Sequence, residues 1–128
     1  MEKPAESVEN YLETILVLGQ SGDPVRSIDI ANELGYSKPS ISVAMKNLKA
    51  NGYIEIEKGG QIVLTETGRE IAQKVYNRHT LISELLIFLG VESKIAVRDA
   101  CKMEHGMSEE SFTAIENHLK DLKERANI

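Results

Sequence analysis

Two short helical segments separated by a glycine turn constrain the fold of this chain more than any other feature. Apolar residues recur at helical spacing from Ile28 to Leu34, and Gly35 follows them directly. A second segment begins after Ser37, with Pro39 in its first turn, and runs to Lys49. Glycine commonly ends a helix, serine commonly caps one, and proline is tolerated in the first turn. The order helix, turn, helix is therefore predicted.

A short hairpin is predicted directly after this helix pair. Apolar and charged residues alternate from Tyr53 to Lys58, and a second apolar run, Ile62 to Leu64, follows Gly59 and Gly60. Two adjacent glycines permit a tight turn between antiparallel strands. A helix-turn-helix followed by a hairpin is the order of a winged helix-turn-helix domain, whose second helix enters the major groove of DNA.

The rest of the chain is predicted to be helical. An amphipathic helix precedes the pair, and three more helices follow the hairpin. Thr65 is predicted to cap the first of these three, in which Gly68 is a weak position, and Ser93 and Ser108 are predicted to cap the others. The predicted fold class is mainly α, with a winged helix-turn-helix domain over residues 1–74 and a helical domain over residues 75–128.

Charge distribution and composition limit the classes of function. The formal net charge of -5 opposes binding to a polyanion, but the only charges from Ser37 to Ala50 are three lysines, whereas acidic residues crowd the C-terminal third. The chain has one cysteine, opens without a signal-like segment and contains no apolar run long enough to cross a bilayer. These features favour a cytoplasmic protein without a membrane partner.

The second helix of the pair carries the side chains expected of a DNA-reading helix. Small and cationic residues at its start let the backbone approach base edges, and its later lysines can contact phosphates. The hairpin tip lacks bulk and suits a phosphate strand or the minor groove. The predicted contacts to double-stranded DNA are Ser37, Lys38, Pro39, Ser40, Ser42, Lys46, Lys49 and Lys58. The alternative is that this face is ordinary solvated surface.

A cluster of metal-ligating residue types lies near the C-terminal end. Cys101 precedes Glu104 and His105 by three and four residues, so a thiolate, a carboxylate and an imidazole share one helix face. Two oxygen donors, Asn10 and Glu13, share a face of the first helix, and His79 lies on the helix predicted directly after the hairpin. The predicted metal ligands are Asn10, Glu13, His79, Cys101, Glu104 and His105. Each of them has an alternative role as a core or surface residue.

The last predicted helix carries an apolar stripe. Its members recur at helical spacing and are Phe112, Ile115, Leu119 and Leu122. We expect this stripe to seal a homodimer, together with parts of the preceding helix. The alternative is that the stripe packs only within its own chain.

These segments resemble the metal-dependent repressors typified by the diphtheria toxin repressor and the manganese transport regulator. The resemblance runs nearly end to end and is carried by residues 9–15, 40–42, 64–69, 78–79 and 99–108, of which the last stretch is the most specific. It implies that a divalent metal binds between the first, fourth and fifth helices, that metal favours the DNA-binding conformation, and that the C-terminal helices form the dimer. It also implies a short form without the C-terminal SH3-like domain of longer members.

The resemblance divides the predicted ligands between two types of repressor. Cys101, Glu104 and His105 look like the primary site of the iron type, whereas Glu13 and His79 match ligand positions of the manganese type. The iron type also uses a histidine at the position of His79, in an accessory site. Ligation requires a deprotonated thiol and neutral imidazoles, so we expect metal affinity to fall in acid.

Departures from the family pattern bear on the choice of metal. Asn10 stands where the iron type has a methionine and the manganese type an aspartate, and Ser83 and Val97 stand where the iron type has further accessory ligands. A thiolate favours iron(II), zinc or cobalt over manganese, while carboxylates favour harder ions. The expected cofactor is a divalent transition metal, with Fe2+ first, Mn2+ next, and Zn2+, Co2+ or Ni2+ as substitutes in vitro.

The sequence thus predicts a metal-dependent transcriptional regulator that represses metal-uptake genes as a homodimer on a palindromic operator, and that is not an enzyme. The first alternative is a winged-helix regulator without metal control that senses oxidants through Cys101 or binds a small ligand. The others are a metallohydrolase or metal-trafficking protein that uses the same ligands, and a winged helix that binds protein instead of DNA. Steep salt dependence of duplex binding would separate the last alternative from a DNA-binding role.

Overall fold

The structure is a computed structural model that describes residues 6–126. Within this range the elements are α1 (Glu6–Gly19), α2 (Ser27–Leu34), α3 (Lys38–Ala50), β1 (Ile54–Ile56), β2 (Ile62–Leu64), α4 (Glu66–Phe88), α5 (Ser93–Glu104) and α6 (Glu109–Ala126). The predicted mainly α class, with a helix-turn-helix followed by a hairpin, is confirmed. No helix within residues 6–126 is long and apolar enough to cross a membrane. The chain divides into two compact units, Met1–Val75 and Tyr76–Ile128.

Local rules set the boundary between α2 and α3, as the sequence predicted. Gly35 adopts φ 71°, a left-handed conformation, and its N–H donates to the carbonyl oxygen of Ala31. Ser37 then caps α3, since its Oγ accepts a hydrogen bond from the backbone N–H of Ser40 at 3.3 Å. Pro39 lies in the first turn of α3, where a missing N–H costs nothing.

The first unit has an aliphatic core to which every one of its elements contributes. Its innermost members, none more than 3% exposed, are Leu12, Ile15, Ile30, Ile41, Met45, Leu48, Ile54, Ile62 and Ala72. Burying an aliphatic side chain of this size stabilises a fold by about 1.5–3 kcal/mol. Because Ile41, Met45 and Leu48 all point into this core, the opposite face of α3 is directed to solvent.

The hairpin is tied to the segment that leads into α2. β1 and β2 pair antiparallel, with Ile54 opposite Leu64. The backbone N–H of Ile62 also donates to the carbonyl oxygen of Val25 at 2.7 Å, and Nε of Arg26 donates to the carbonyl oxygen of Gly59 at 3.3 Å. These two bonds connect the wing to the start of the helix pair.

Gly68 has a packing role that the sequence did not reveal. A Cβ at this position would overlap the backbone carbonyl oxygen of Tyr53. Thr65 caps α4 as predicted, because its Oγ1 accepts from the N–H of Gly68 at 3.1 Å and donates to the carbonyl oxygen of Gly52 at 2.7 Å. The start of α4 therefore lies directly against the chain that enters β1, and glycine permits this close approach.

The second unit is built on α5, α6 and the later part of α4. Its most buried apolar side chains, none more than 1% exposed, are Ile82, Ala96, Ala100 and Leu119. Arg78 is also buried, and its guanidinium donates to the Glu109 carboxylate at 2.6 Å and to the carbonyl oxygen of Met107 at 3.2 Å. The same guanidinium lies 5.1 Å from the ring centroid of Phe112. Arg78 thus fixes the start of α6 on α4 through both charge and stacking.

One predicted helix cap in this unit is wrong and another is confirmed. Glu92, not Ser93, caps α5, because Glu92 keeps an extended backbone and its carboxylate accepts from the N–H of Ile95 at 3.4 Å. Ser93 is already the first helical residue. Ser108 accepts from the N–H of Ser111 at 3.1 Å and caps α6.

Candidate metal centre and DNA-reading helix

The C-terminal end of α5 presents three donors of different chemistry. Cys101 and Glu104 lie in its last turn and His105 follows it directly, so the three side chains share one side of the helix. One ligand atom from each residue, a sulfur, a carboxylate oxygen and a ring nitrogen, lies within 4.8 Å of the other two. Metal–ligand bonds to such atoms are roughly 2.0–2.3 Å long, so one ion can reach all three after a small side-chain movement.

This cluster is shielded from water. The side chains of Glu104 and His105 are 2% and 6% exposed, and Nε2 of His105 lies 3.4 Å from Oε1 of Glu104. Cys101 is partly buried. Burying an ionised carboxylate is costly unless positive charge or hydrogen bonds compensate for the lost water. A divalent cation among these donors would supply that charge, so the donor set and its burial fit a metal site.

His79 lies on α4 in the same unit and is not part of this three-residue cluster. Its Nε2 is 3.0 Å from the carbonyl oxygen of Val97 on α5. A carbonyl oxygen only accepts hydrogen bonds, so Nε2 carries the proton and the lone pair of a neutral ring is on Nδ1. A metal bound by His79 would therefore be bound through Nδ1.

Asn10 and Glu13 belong to α1, in the first unit. They are three residues apart on one helix face, and both are half-buried. Their assignment as metal ligands stays a prediction from the sequence.

The surface of α3 has the charge and exposure expected of a DNA-reading helix. Its only charged residues are Lys38, Lys46 and Lys49. Every residue predicted to contact DNA is exposed, and this set comprises Ser37, Lys38, Pro39, Ser40, Ser42, Lys46 and Lys49 around α3 and Lys58 in the hairpin turn. The basic side chains are thus available to a phosphate backbone.

Three further residues beside this surface were missed in the sequence. Arg26 is exposed, and its side chain hydrogen-bonds to the turn of the hairpin. The sequence signal for this residue was a basic side chain directly before a helix. Tyr36 is 54% exposed, and its ring meets the Tyr11 ring edge-on at a centroid distance of 6.4 Å. Val43 is 60% exposed. It stands two residues from Ile41, a spacing that places two side chains on opposite faces of a helix.

Comparison with known families covers both units. Residues 4–61 match the family model described as iron dependent repressor, N-terminal DNA binding domain. Residues 65–127 match the model described as iron dependent repressor, metal binding and dimerisation domain. The chain belongs to the iron-dependent repressor family. The resemblance inferred from the sequence is thereby confirmed, and both the DNA-binding and the metal-binding and dimerisation domains of the family are present.

Individual transcriptional regulators are similar to this chain over most of its length. The transcriptional regulator MntR of Escherichia coli O157:H7 is 37% identical over 109 residues, which cover 85% of this chain and 70% of that protein. An uncharacterized HTH-type transcriptional regulator of Methanocaldococcus jannaschii, MJ0568, is 32% identical over 123 residues, covering 94% and 98% of the two chains.

Solved structures share the same fold. A manganese-dependent transcriptional repressor in complex with manganese superimposes with a TM-score of 0.80 at 26% identity, covering 88% of this chain and 52% of that one. The metal-dependent transcriptional regulator MtsR gives a TM-score of 0.81 at 25% identity, with coverages of 88% and 53%. This chain therefore spans about half the length of these two relatives.

The apolar stripe of α6 contributes to packing within its own unit. Leu119 is 1% exposed in the single chain, and Phe112, Ile115 and Leu122 are half-buried. The same unit also exposes large apolar side chains on and after α4 and on α5, namely Ile87, Phe88, Leu89, Ile95, Val97 and Met103. The role of the α6 stripe as a dimer contact stays a prediction.

Proposed function

We propose that this iron-dependent repressor family member represses metal-uptake genes when metal is bound, and that it acts by binding DNA and not as an enzyme. One observation carries the proposal. Cys101, Glu104 and His105 converge to within 4.8 Å inside the segment that matches the metal-binding and dimerisation domain of the family. Residues 1–74 then form the DNA-binding domain and residues 75–128 the metal-binding and dimerisation domain, in a protein that works in the cytoplasm.

The proposed ligand set extends beyond the three clustered residues. It comprises Asn10, Glu13, His79, Cys101, Glu104 and His105. The thiolate of Cys101 is a soft donor and favours iron(II) over manganese(II). The two carboxylates and the Asn10 carbonyl oxygen are hard donors, which keeps manganese(II) as the next choice, while zinc, cobalt and nickel bind in vitro. Relatives have been solved with manganese, zinc or cadmium bound.

The proposed target is a palindromic operator bound by a homodimer. A two-fold symmetric dimer presents two copies of α3 to successive major grooves, with half-sites about 34–36 Å apart. Ser37, Pro39, Ser40 and Ser42 contact base edges or nearby backbone, while the lysines of α3 and Lys58 of the wing contact phosphates. The dimer contacts proposed from the sequence are Phe112, Ile115, Leu119 and Leu122.

Metal and DNA binding are proposed to be coupled through a conformational equilibrium. A ligand shifts such an equilibrium only by its difference in affinity for the two states. If metal tightens operator binding, the operator must tighten metal binding by the same factor. Measuring metal affinity with and without operator therefore tests the coupling independently of any assumed geometry.

The decisive experiment is a metal titration of chelator-stripped protein with iron(II), manganese(II) and zinc(II). Binding to a fluorescent duplex from the promoter of its own gene is the readout. We expect at least one metal to switch DNA binding on, and the double variant Glu104→Ala with His105→Ala to abolish the switch. Glu116→Gln, which changes an exposed carboxylate on α6, is the matched control and should respond like the wild type.

The opposite outcome has an equally definite meaning. If DNA binding is the same with and without every metal, Cys101, Glu104 and His105 are structural residues and metal control is excluded. A different result identifies a redox-responsive winged-helix regulator. In that case no metal changes DNA binding, peroxide changes DNA binding of the wild type, and Cys101→Ser abolishes the response to peroxide.

A further inference from the structure

Val43 occupies the middle of the face of α3 that points away from the core. The buried side of this helix is formed by Ile41, Met45 and Leu48, none more than 2% exposed. The opposite side carries, in sequence order, Pro39, Val43, Lys46 and Ala50, and all four residues are exposed. Val43 is itself 60% exposed, so most of its isopropyl group meets solvent.

Helix stability does not account for a valine at this position. A β-branched side chain loses rotamer freedom in a helix and lowers helix propensity slightly relative to alanine. An exposed valine recovers little of this through burial of apolar area. The position therefore presents an apolar group that remains unburied until a partner covers it.

We propose that Val43 recognises thymine, through van der Waals contact between its γ-methyl groups and the C5-methyl group of the base. The inference rests on the proposed function, in which α3 enters the major groove. Base edges in that groove present hydrogen-bond donors and acceptors, and the thymine methyl is the apolar group among them. An outward isopropyl group at the centre of the reading face is complementary to that methyl.

The same position also disfavours other bases. An isopropyl group offers no hydrogen bond, so a base edge pressed against it loses water without gaining a partner. Pro39 and Ala50 on the same face likewise have no polar side-chain atom, and the polar Ser40 and Asn47 flank Val43 one turn away on either side. Lys46 is a donor only, and the side-chain oxygen atoms of α3 that could accept from a cytosine amino group belong to Ser40, Ser42 and Asn47, not to Val43. Val43 therefore favours a thymine and penalises a cytosine amino group placed directly against its side chain.

The test uses a DNA duplex selected from a random-sequence pool by wild-type protein in manganese(II). Each thymine of the selected duplex is replaced in turn by deoxyuridine, which lacks only the C5-methyl group. We expect one thymine in each half-site whose replacement weakens binding of the wild type about fourfold, the effect of burying one methyl group. Fluorescence anisotropy at fixed salt gives the affinities.

Variants then assign the effect to Val43. Val43→Ala should bind the thymine and deoxyuridine duplexes almost equally, whereas Val43→Ile, which keeps γ-carbon atoms, should still discriminate. Val17→Ala changes another exposed valine, 41% exposed on α1, and should keep the fourfold difference. Binding of Val43→Ala to random duplex at low salt should equal that of the wild type, since phosphate contacts are unchanged.

Two results would overturn the inference while leaving the proposed function intact. The first is that no replacement of a thymine by deoxyuridine weakens binding of the wild type. The second is that Val43→Ala still binds the thymine duplex about fourfold more tightly than the deoxyuridine duplex. If wild-type protein binds no duplex even at low salt and with every metal, the DNA-binding function and the inference both fail.

Discussion

The two compact units carry their candidate functional groups in opposite ways. In the first unit, most residues proposed to contact DNA lie on the exposed side of α3, while the buried side of the same helix is apolar. In the second unit, Glu104 is as deeply buried as the surrounding core, and Arg78 and Ser83 are buried as well. The proposed DNA surface is thus separate from the core that supports it, whereas the candidate metal cluster is part of its core. Substitutions should therefore affect function and stability separately in the first unit and together in the second.

The largest expected effect comes from neutralising the buried carboxylate of the metal cluster. Glu104→Gln keeps the side-chain shape but removes the negative charge. Because losing even an outer-shell partner of a ligand costs about 10–100-fold in metal affinity, we expect affinity for manganese(II) or iron(II) to fall by more than about 100-fold. Competition with a chromophoric chelator measures the affinity. Glu116→Gln serves again as the exposed control. An unchanged affinity in Glu104→Gln would place the metal site elsewhere.

A second prediction concerns the core of the first unit. Gly68→Ala should destabilise the protein by about 3 kcal/mol, because the added Cβ overlaps the backbone of Tyr53 and the start of α4 must move. Gly106→Ala is the matched control, since a Cβ there meets nothing within 4 Å and the backbone is not left-handed. Urea unfolding measures both variants. Equal stability of the two would mean that α4 does not depend on this close approach.

The smallest expected effect separates function from stability on α3. Lys46→Ala removes one phosphate contact from each protomer of the dimer, so the slope of log K (association) against log salt should become less steep by about 2, while binding to all duplexes weakens alike. Its free energy of unfolding should stay within about 0.5 kcal/mol of the wild type, because Lys46 is exposed. A stability loss comparable to that of Gly68→Ala would contradict the separation between the reading surface and the core.

Much of the fold could be predicted because its signals are local. Gly35, Ser37 and Pro39 define one helix end and the next helix start through backbone preferences that act within a few residues. Glu92 shows how a local signal can mislead. Two adjacent residues could each cap α5: serine has the stronger general preference for this position, but the glutamate makes the hydrogen bond.

The candidate site was only partly predictable, because spacing along the sequence reveals contacts within one helix but not contacts between helices. Cys101, Glu104 and His105 are spaced so that any helix brings them together, and the structure places their donor atoms within 4.8 Å. The hydrogen bond between His79 and Val97 joins residues 18 positions apart on different helices, so no spacing rule could have indicated it.

The sequence by itself determined the helix-turn-helix, the hairpin and the three-donor cluster, because helical periodicity, turn residues and caps act over short distances along the chain. The tertiary structure decided which apolar residue of α3 is exposed to solvent, which glycine allows close contact with another backbone segment, and which arginines connect separate elements. Val43, Gly68, Arg26 and Arg78 depend on contacts between distant segments, and those contacts arise only when the elements pack. The residues that support function through packing were therefore visible only in the folded chain.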